Sequence, residues 1–281
     1  MDGVLTLAFV YLLVCTIPVL VGACVLAMEH RAPIRSSRAG ISWFFRESAA
    51  HAVVIAALPF GWWPVSPIQH HRREDIAETP SPNQNRVPVL LVHGYGMNRA
   101  CFTFLKTYLH TRGWDWVWAI NHRPRSSPIP VFAKNLGRSI ERLVAESGSE
   151  QIDIVAHSMG GIVTAYALQE FGYARHVRKV ITLGTPWAGT LTYVFSWLRE
   201  GMDMAPDSEV IETVKNYEGN TVAIWSRHDH MNVPTSSANP SHAHSIEVPH
   251  IGHQEMLISA RCFRIIAETL NENTALVEGQ Q

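Results

Sequence analysis

Between residues 87 and 270, short apolar runs alternate with longer segments whose apolar residues recur at helical spacing. In the segment 132–146, for example, Leu136, Ile140 and Leu143 fall on one face of a helix. Alternating strands and helices indicate a mostly parallel sheet with helices on both faces, which is an α/β fold class. The pattern predicts strands at 87–92, 115–120, 152–156, 177–183, 221–225 and 245–248, and helices at 98–110, 132–146, 160–171 and 254–270.

Ser158 follows the predicted strand 152–156 and directly precedes a predicted helix. Parallel sheets carry their functional loops at the carboxyl ends of their strands, so this serine lies where chemistry is expected. Ala156 and Gly160 are small, as the positions two before and two after the nucleophile of a strained strand-to-helix turn must be. A serine that only caps the helix is the alternative. The flanking strand and helix favour the nucleophile.

A serine nucleophile needs a base, and the base needs an acid to orient it. In sheets of this kind the partners follow along the chain in the order serine, acid, histidine. Asp229 comes four residues after the predicted strand 221–225, and His253 lies in the loop before the last predicted helix. We therefore expect Asp229 as the acid and His253 as the base. The alternatives are Asp203 and Asp207 for the acid and His250 for the base.

An oxyanion hole requires two backbone N–H groups that point at the developing negative charge. The residue after the nucleophile, Met159, is expected to supply one of them. The second is expected from the glycine-containing loop after the first strand, in the run "LLVHGYG", where Tyr95 is placed to donate its amide.

Composition excludes some other classes of function. The formal net charge is −1, which gives no reason to expect a nucleic-acid partner. The chain has 15 histidines, several of them between His228 and His253, but no H-E-x-x-H or similar spacing. We therefore expect no metal and no cofactor.

The amino-terminal region predicts a membrane segment. Residues 4–28 contain no charged side chain, and a helix of this length exceeds the roughly 30 Å of a bilayer's hydrocarbon core. A cleaved signal peptide and a lipoprotein site ending at Cys24 are the alternatives, but only Asp2 stands where a basic leader would be. We expect a retained transmembrane anchor over residues 1–30.

Residues 31–86 are expected to form a membrane-proximal segment and linker ahead of a catalytic domain at 87–281. Within them, a second apolar stretch at 49–60 is short for a span and contains His51, which favours an interfacial helix. The polar stretch 69–86 is typical of a linker. Arginines after the first span favour the cytoplasmic side for that loop, but the side of the catalytic domain depends on whether 49–60 crosses, and stays open.

With these residues identified, the chain from about 87 to 270 resembles the α/β-hydrolase fold, and bacterial triacylglycerol lipases and esterases in particular. The resemblance rests on "VLLVHGYG", "IDIVAHSMGGIV", "VITLGTPWAGT", "MDMAPDSEVI", "SRHDHMNVP" and "IGHQEML". It implies Ser158 as nucleophile, Asp229 as acid and His253 as base, with Tyr95 and Met159 as oxyanion donors. Trp187 stands where similar proteins often have histidine, and the segment 187–215 lies where they carry a lid or cap.

These features together predict a serine hydrolase that cleaves carboxylic esters, of lipids in particular, anchored to a bacterial inner membrane. An acyltransferase would use the same residues, and a catalytically silent binding protein would keep only the fold. Acyl chain length, head group, oligomeric state and the pairing of Cys101 with Cys262 stay open at this point.

Overall fold

The structure, a computed structural model, describes residues 2–29, 38–62 and 86–272. In these ranges a single parallel sheet forms the centre of the molecule, and every strand of it lies close to a strand expected from the sequence. The strands are β1 (Val89–Val92), β2 (Val117–Ala119), β3 (Ile152–His157), β4 (Val177–Leu183), β5 (Thr221–Trp225) and β6 (His244–Glu247).

The strand order across the sheet is β2-β1-β3-β4-β5-β6, with every neighbouring pair parallel. The chain therefore reverses its direction of progress between β1 and β3, where Val92 pairs with Ala156. Ligand sites of open α/β sheets form in the crevice outside such a reversal, at the carboxyl ends of the strands. Ser158 directly follows β3 at this position.

Helices cover both faces of the sheet, as the alternating pattern predicts. On one face, Phe132 and Ile140 pack with the buried sides of β1 and β3, and on the other face Leu105 and Phe263 do so. Burial of these apolar faces supplies most of the stabilisation of such a layered fold. The helices are α1 (Asp2–Glu29), α2 (Arg38–Gly61), α3 (Thr103–His110), α4 (Ile129–Ser147), α5 (Met159–Glu170), α6 (Arg199–Met202), α7 (Glu209–Val214) and α8 (Ala260–Asn271).

Two predicted helices are each divided into a short 3₁₀ turn and an α-helix. The segment expected at 98–110 begins as the 3₁₀ turn Arg99–Phe102, with the Asn98 side chain accepting from the Ala100 N–H. The segment expected at 254–270 begins as Glu255–Leu257 and is interrupted by the extended backbone of Ser259 before α8. All four cysteines are free thiols, so Cys101 and Cys262 do not pair.

The second apolar stretch is longer than expected. In place of a short helix over 49–60, α2 contains 24 residues, and both Val4–Cys24 and Gly40–Gly61 are long and apolar enough to cross a bilayer. The predicted start of this helix at residue 49 was wrong because Arg46 and Glu47 interrupt the apolar run in the sequence. In the structure Arg46 pairs with Glu255 at 2.9 Å, and Glu47 is fully buried.

Helix α2 packs against the α/β domain along much of its length. Val54 belongs to the same buried cluster as Leu105 and Phe263. At the end of α2, the Asn98 Nδ2 donates to the Leu58 carbonyl at 2.7 Å, and the Asn121 Nδ2 donates to the Gly61 carbonyl at 2.9 Å. These bonds satisfy carbonyl groups that a helix leaves unpaired at its carboxyl end.

The expected linker at 69–86 and the tail after residue 272 lie almost wholly outside the described residues, as does most of the arginine-bearing loop after α1. The boundaries 1–30, 31–86 and 87–281 therefore stay predictions. What the structure adds is the packing of 40–62 against the α/β domain.

Candidate active site

Ser158 lies on a sharp turn between β3 and α5. Its backbone angles, φ 55° and ψ −128°, are strained for a residue with a side chain. The turn is fixed on both sides of the residue. The Ser158 N–H donates to the Leu183 carbonyl at 2.8 Å, and its carbonyl accepts from the Thr185 hydroxyl at 2.9 Å. This is the geometry of a nucleophile elbow, which holds a serine side chain above the sheet.

The glycines around Ser158 are required by close contacts. A Cβ on Gly160 would lie 2.4 Å from the carbonyl oxygen of Val92, and backbone cannot move aside as a flexible side chain can. A Cβ on Gly94 would lie 2.8 Å from the Cβ of Ser158. The loop after β1 therefore passes directly beside the serine, as the sequence predicts for an oxyanion loop.

Asp229 and His253 form a hydrogen-bonded pair at the same edge of the sheet. The His253 Nδ1 lies 2.8 Å from Asp229 Oδ2, and both side chains are buried. Asn232 donates its side-chain amide to the same Oδ2 at 2.8 Å and to the Gly184 carbonyl at 2.9 Å. The Met231 N–H donates to Asp229 Oδ1 at 2.9 Å. These hydrogen bonds hold the Asp229 carboxylate in one orientation, with Oδ2 facing the His253 imidazole.

The charges of this pair stabilise each other. Burial alone would lower the pKa of His253, but the Asp229 carboxylate, and more weakly Glu47, outweigh burial and raise it above its usual value. Burial opposes ionisation of Asp229 as well, but His253 and the hydrogen bonds to the carboxylate hold the pKa of Asp229 below its usual value. The surroundings of the pair therefore favour an ionised Asp229 carboxylate and a His253 imidazole that accepts a proton readily.

His253 packs against His157, the residue directly before Ser158. The rings of His157 and His253 lie 4.6 Å apart between centroids, and His157 Nε2 is 3.2 Å from the His253 carbonyl oxygen. A Cβ on Gly184, directly after β4, would lie 2.8 Å from Asp229 Oδ2 and 3.1 Å from His253 Nδ1, so the chain there passes close to the pair. Ser158, Asp229 and His253 thus follow β3, β5 and β6, at the carboxyl ends of parallel strands of one sheet.

The two expected oxyanion donors flank the serine. Met159 is the first residue of α5, whose amino-terminal end favours negative charge. Tyr95 follows Gly94, where an added Cβ would clash with the Ser158 Cβ. The Tyr95 hydroxyl accepts from the Leu198 N–H at 3.0 Å, which directs its side chain towards the segment 187–215.

The alternative candidates lie elsewhere. Asp203 Oδ2 accepts from the Ile129 N–H at the start of α4, at 2.6 Å, and Asp207 is exposed. His250 is exposed, with its ring 4.7 Å from that of His228. Among the described residues, Asp229 and His253, the acid and histidine that the sequence favours, are hydrogen-bonded to each other.

Comparison with known proteins agrees with this architecture. Residues 87–209 match a family described as alpha/beta hydrolase fold. This protein has the α/β-hydrolase fold. The chain is also similar in structure to Bacillus licheniformis lipase BlEst2 in its mature form, with a TM-score of 0.59, 15% identity, and 70% of this chain and 96% of that chain covered.

Aspergillus fumigatus lipase B is similar to a comparable degree, with a TM-score of 0.57 and 17% identity. The match covers 70% of this chain but 55% of that one. A protein of Listeria innocua, the lin2722 gene product, gives a TM-score of 0.51 at 16% identity over 68% of this chain and 96% of that chain. Identities this low establish the shared fold, and the resemblance to it is confirmed.

The segment 187–215, here called the cap, is irregular in structure. It contains the 3₁₀ turn Leu191–Phe195, α6 and α7. The apolar run 190–198 does not form a buried helix: the 3₁₀ turn Leu191–Phe195 has no buried residue, and large apolar side chains of the segment face solvent. The exposed ones are Leu191, Val194, Phe195, Trp197 and Met202.

Trp187 is not at the surface of the site. Its indole is buried, stacked on the Tyr217 ring at 6.4 Å and in edge contact with His242 at 4.9 Å. The residue that replaces the histidine common in similar proteins therefore anchors the base of the cap.

The sequence reading missed two polar residues that hold the pair in place. Asn232 lies in the quoted run "SRHDHMNVP", three residues after Asp229, and short-range spacing was the available signal. Glu47 accepts from the Gln254 N–H at 2.7 Å and from the Glu255 N–H at 2.9 Å, directly after His253. No sequence signal pointed from the apolar helix α2 to a loop 200 residues away.

Proposed function

We propose that this protein is a serine hydrolase that cleaves carboxylic esters through Ser158, His253 and Asp229. The observation that carries the proposal is the Asp229–His253 hydrogen bond of 2.8 Å at the sheet edge where Ser158 occupies a strained elbow. Two features of different origin, a strained backbone and a buried ion pair, coincide at one site. Both kinds of feature concentrate at functional sites.

In this proposal the Ser158 hydroxyl attacks the ester carbonyl while His253 Nε2 takes its proton. The Asp229 carboxylate fixes the tautomer of His253 and stabilises the imidazolium that forms. The amides of Tyr95 and Met159 bind the oxyanion. The alcohol leaves with the proton from His253, and Ser158 remains acylated. His253 then takes a proton from a water molecule that attacks the acyl group, which releases the carboxylic acid and frees the serine.

A lipid ester is the substrate class that best fits the surroundings. The cap beside the site exposes five large apolar side chains, including Trp197 with 87% of its surface exposed. Large exposed apolar side chains of this kind suit contact with acyl chains or a bilayer. A water-soluble ester would gain nothing from it.

The test is hydrolysis of p-nitrophenyl esters of increasing acyl length by the full chain in detergent, together with labelling by a fluorophosphonate probe. We expect labelling, release of free acid, and higher kcat/KM for long acyl chains than for acetate. Retention of labelling with a preference for acetate would reject the lipid substrate. Acyl transfer to an added alcohol in preference to water would identify an acyltransferase. Absence of both labelling and turnover would reject the hydrolase.

We further infer that α1 anchors the protein in a membrane. Most of its apolar side chains face outward, and Val4, Leu7 and Phe9 are each at least 60% exposed. Burying such surface in lipid is favourable by about 25 cal/mol per Å². A signal sequence near the amino terminus would look the same in composition.

The membrane location can be checked by fractionating cells that produce the protein with a carboxyl-terminal tag. We expect the protein in the membrane pellet after a sodium carbonate wash, with an intact mass that includes α1. A soluble product that lacks α1 would show instead that the segment is a cleaved signal.

A further inference from the structure

Three potential metal ligands meet where α2 packs against the hydrolase domain. Glu47 and His51 lie one turn apart on α2, and His230 follows Asp229 in the loop after β5. One ligand atom from each of the three lies within 4.8 Å of the others. None of the three belongs to the Ser158, His253 and Asp229 set.

The distances fit an ion of the zinc class. Glu47 Oε1 lies 3.6 Å from His230 Nδ1 and 3.8 Å from His51 Nδ1. Tetrahedral coordination with bonds of about 2.0–2.1 Å places ligand atoms roughly 3.3 Å apart. The ligand atoms of His51 and His230 lie within 4.8 Å of each other, so the two imidazoles would have to rotate towards each other to bring all three atoms into the coordination sphere.

The hydrogen bonding of the cluster is incomplete without an ion. Both ring nitrogens of His230 and the Nδ1 of His51 are buried without a hydrogen-bond partner. Buried polar atoms are paired in the great majority of folded proteins, and each exception calls for a cause. Imidazole nitrogens and a carboxylate oxygen are also the donor types that zinc and similar divalent ions prefer.

The charge of Glu47 needs compensation as well. The carboxylate is fully buried, and within the described ranges its ion-pair partners are the two histidines alone. Arg46, the adjacent cation, turns away to Glu255. A buried carboxylate that is held only by backbone N–H groups and two neutral imidazoles still lacks a cationic partner, and a divalent cation between the three side chains would supply one.

An outer shell holds the three side chains in position. The Gln254 and Glu255 N–H groups fix the two oxygens of Glu47, which orients the carboxylate for a ligand on its free lone pairs. Trp43 packs edge-on against the His230 ring at 5.8 Å. Gly22 of α1 permits close approach, since a Cβ there would lie 2.4 Å from His230.

We propose that Glu47, His51 and His230 bind a divalent transition-metal ion, with zinc as the best match to the donors. The ion joins α2 to the loop that follows Asp229. Its role is structural: it fastens the amino-terminal helices to the hydrolase domain beside the loops that carry Asp229 and His253. This site is separate from the proposed ester chemistry, and metal binding can be measured whether or not the protein hydrolyses esters.

The test is metal binding by the full chain, purified in detergent with a histidine-free affinity tag and stripped with EDTA. Zinc alone is then titrated against a chromophoric chelator, and elemental analysis gives the bound metal. Cobalt(II) in place of zinc reports the coordination geometry through its visible absorption. We expect about one ion per chain, and a rise in the unfolding temperature when zinc is added to the stripped protein.

We expect zinc binding to weaken in each of the variants Glu47→Gln, His51→Gln and His230→Gln. Loss of an outer-shell partner weakens metal binding by about 10- to 100-fold, and loss of a direct ligand should weaken it by more. His244→Ala is the matched control, because His244 is exposed at the start of β6, and it should bind as the wild type does. Unchanged zinc affinity in all three variants, or wild-type protein that takes up no zinc, would overturn the proposal. The wild-type titration decides the matter even where a variant fails to fold.

Discussion

Replacing Ser158 with alanine is expected to lower kcat for ester hydrolysis by about 10⁴- to 10⁶-fold and to abolish fluorophosphonate labelling. The variant loses the attacking oxygen, whereas the Asp229–His253 bond and the oxyanion amides stay in place. Residual activity should therefore remain above the uncatalysed rate. Initial rates with a p-nitrophenyl ester, measured at matched protein concentration, give the ratio.

The chain offers a close control for this substitution. Ser126 has the same φ of 55° as Ser158 but lies exposed in the loop before α4. Ser126→Ala makes the same chemical change at a backbone position with the same sign of φ. Because it leaves the Ser158 hydroxyl in place, it should keep full activity. Equal losses in both variants would show that backbone strain, and not the loss of a nucleophile, is responsible.

Replacing Asp229 with asparagine is expected to lower kcat by about 10⁴-fold with little change in KM. The amide can still accept from the Met231 N–H, so the loop keeps part of its hydrogen bonding. It carries no charge, however, to support the imidazolium of His253, and it favours the wrong tautomer of that ring. Steady-state kinetics on a folded variant, checked by its thermal unfolding, measure the effect.

Asp207→Asn is the control for the acid, because Asp207 was the exposed alternative in the cap. It should leave kcat unchanged. A large loss for Asp207→Asn, with full activity for Asp229→Asn, would place the acid in the cap and reject the arrangement around His253.

The strands were predictable because the central ones are buried. β1 and β3 are buried at every position: β1 is a wholly apolar run, and β3 is apolar except for Asp153 and His157. Helix ends were less predictable. The break at Ser259, between Glu255–Leu257 and α8, depends on tertiary contacts that apolar periodicity does not record.

The candidate site was predictable to the extent that each member follows a strand. Ser158, Asp229 and His253 come after β3, β5 and β6, and a parallel sheet brings those ends together whatever the intervening sequence. Asn232 was not assigned, because an asparagine in a polar loop has many ordinary uses. Glu47 was beyond reach, since its contacts with the His253 loop join residues more than 200 positions apart.

The packing of α2 against the α/β domain bears on how a shortened form of this protein should be prepared. Cutting the chain at the start of the sheet would uncover the apolar surface under Val54 and leave the side chains of Asn98 and Asn121 without their carbonyl partners. It would also free the backbone amides that Glu47 holds just after His253. A shortened form that keeps α2 and removes only α1 would preserve all of these contacts, and α2 is thus better regarded as part of the α/β domain than as part of the amino-terminal apolar segment.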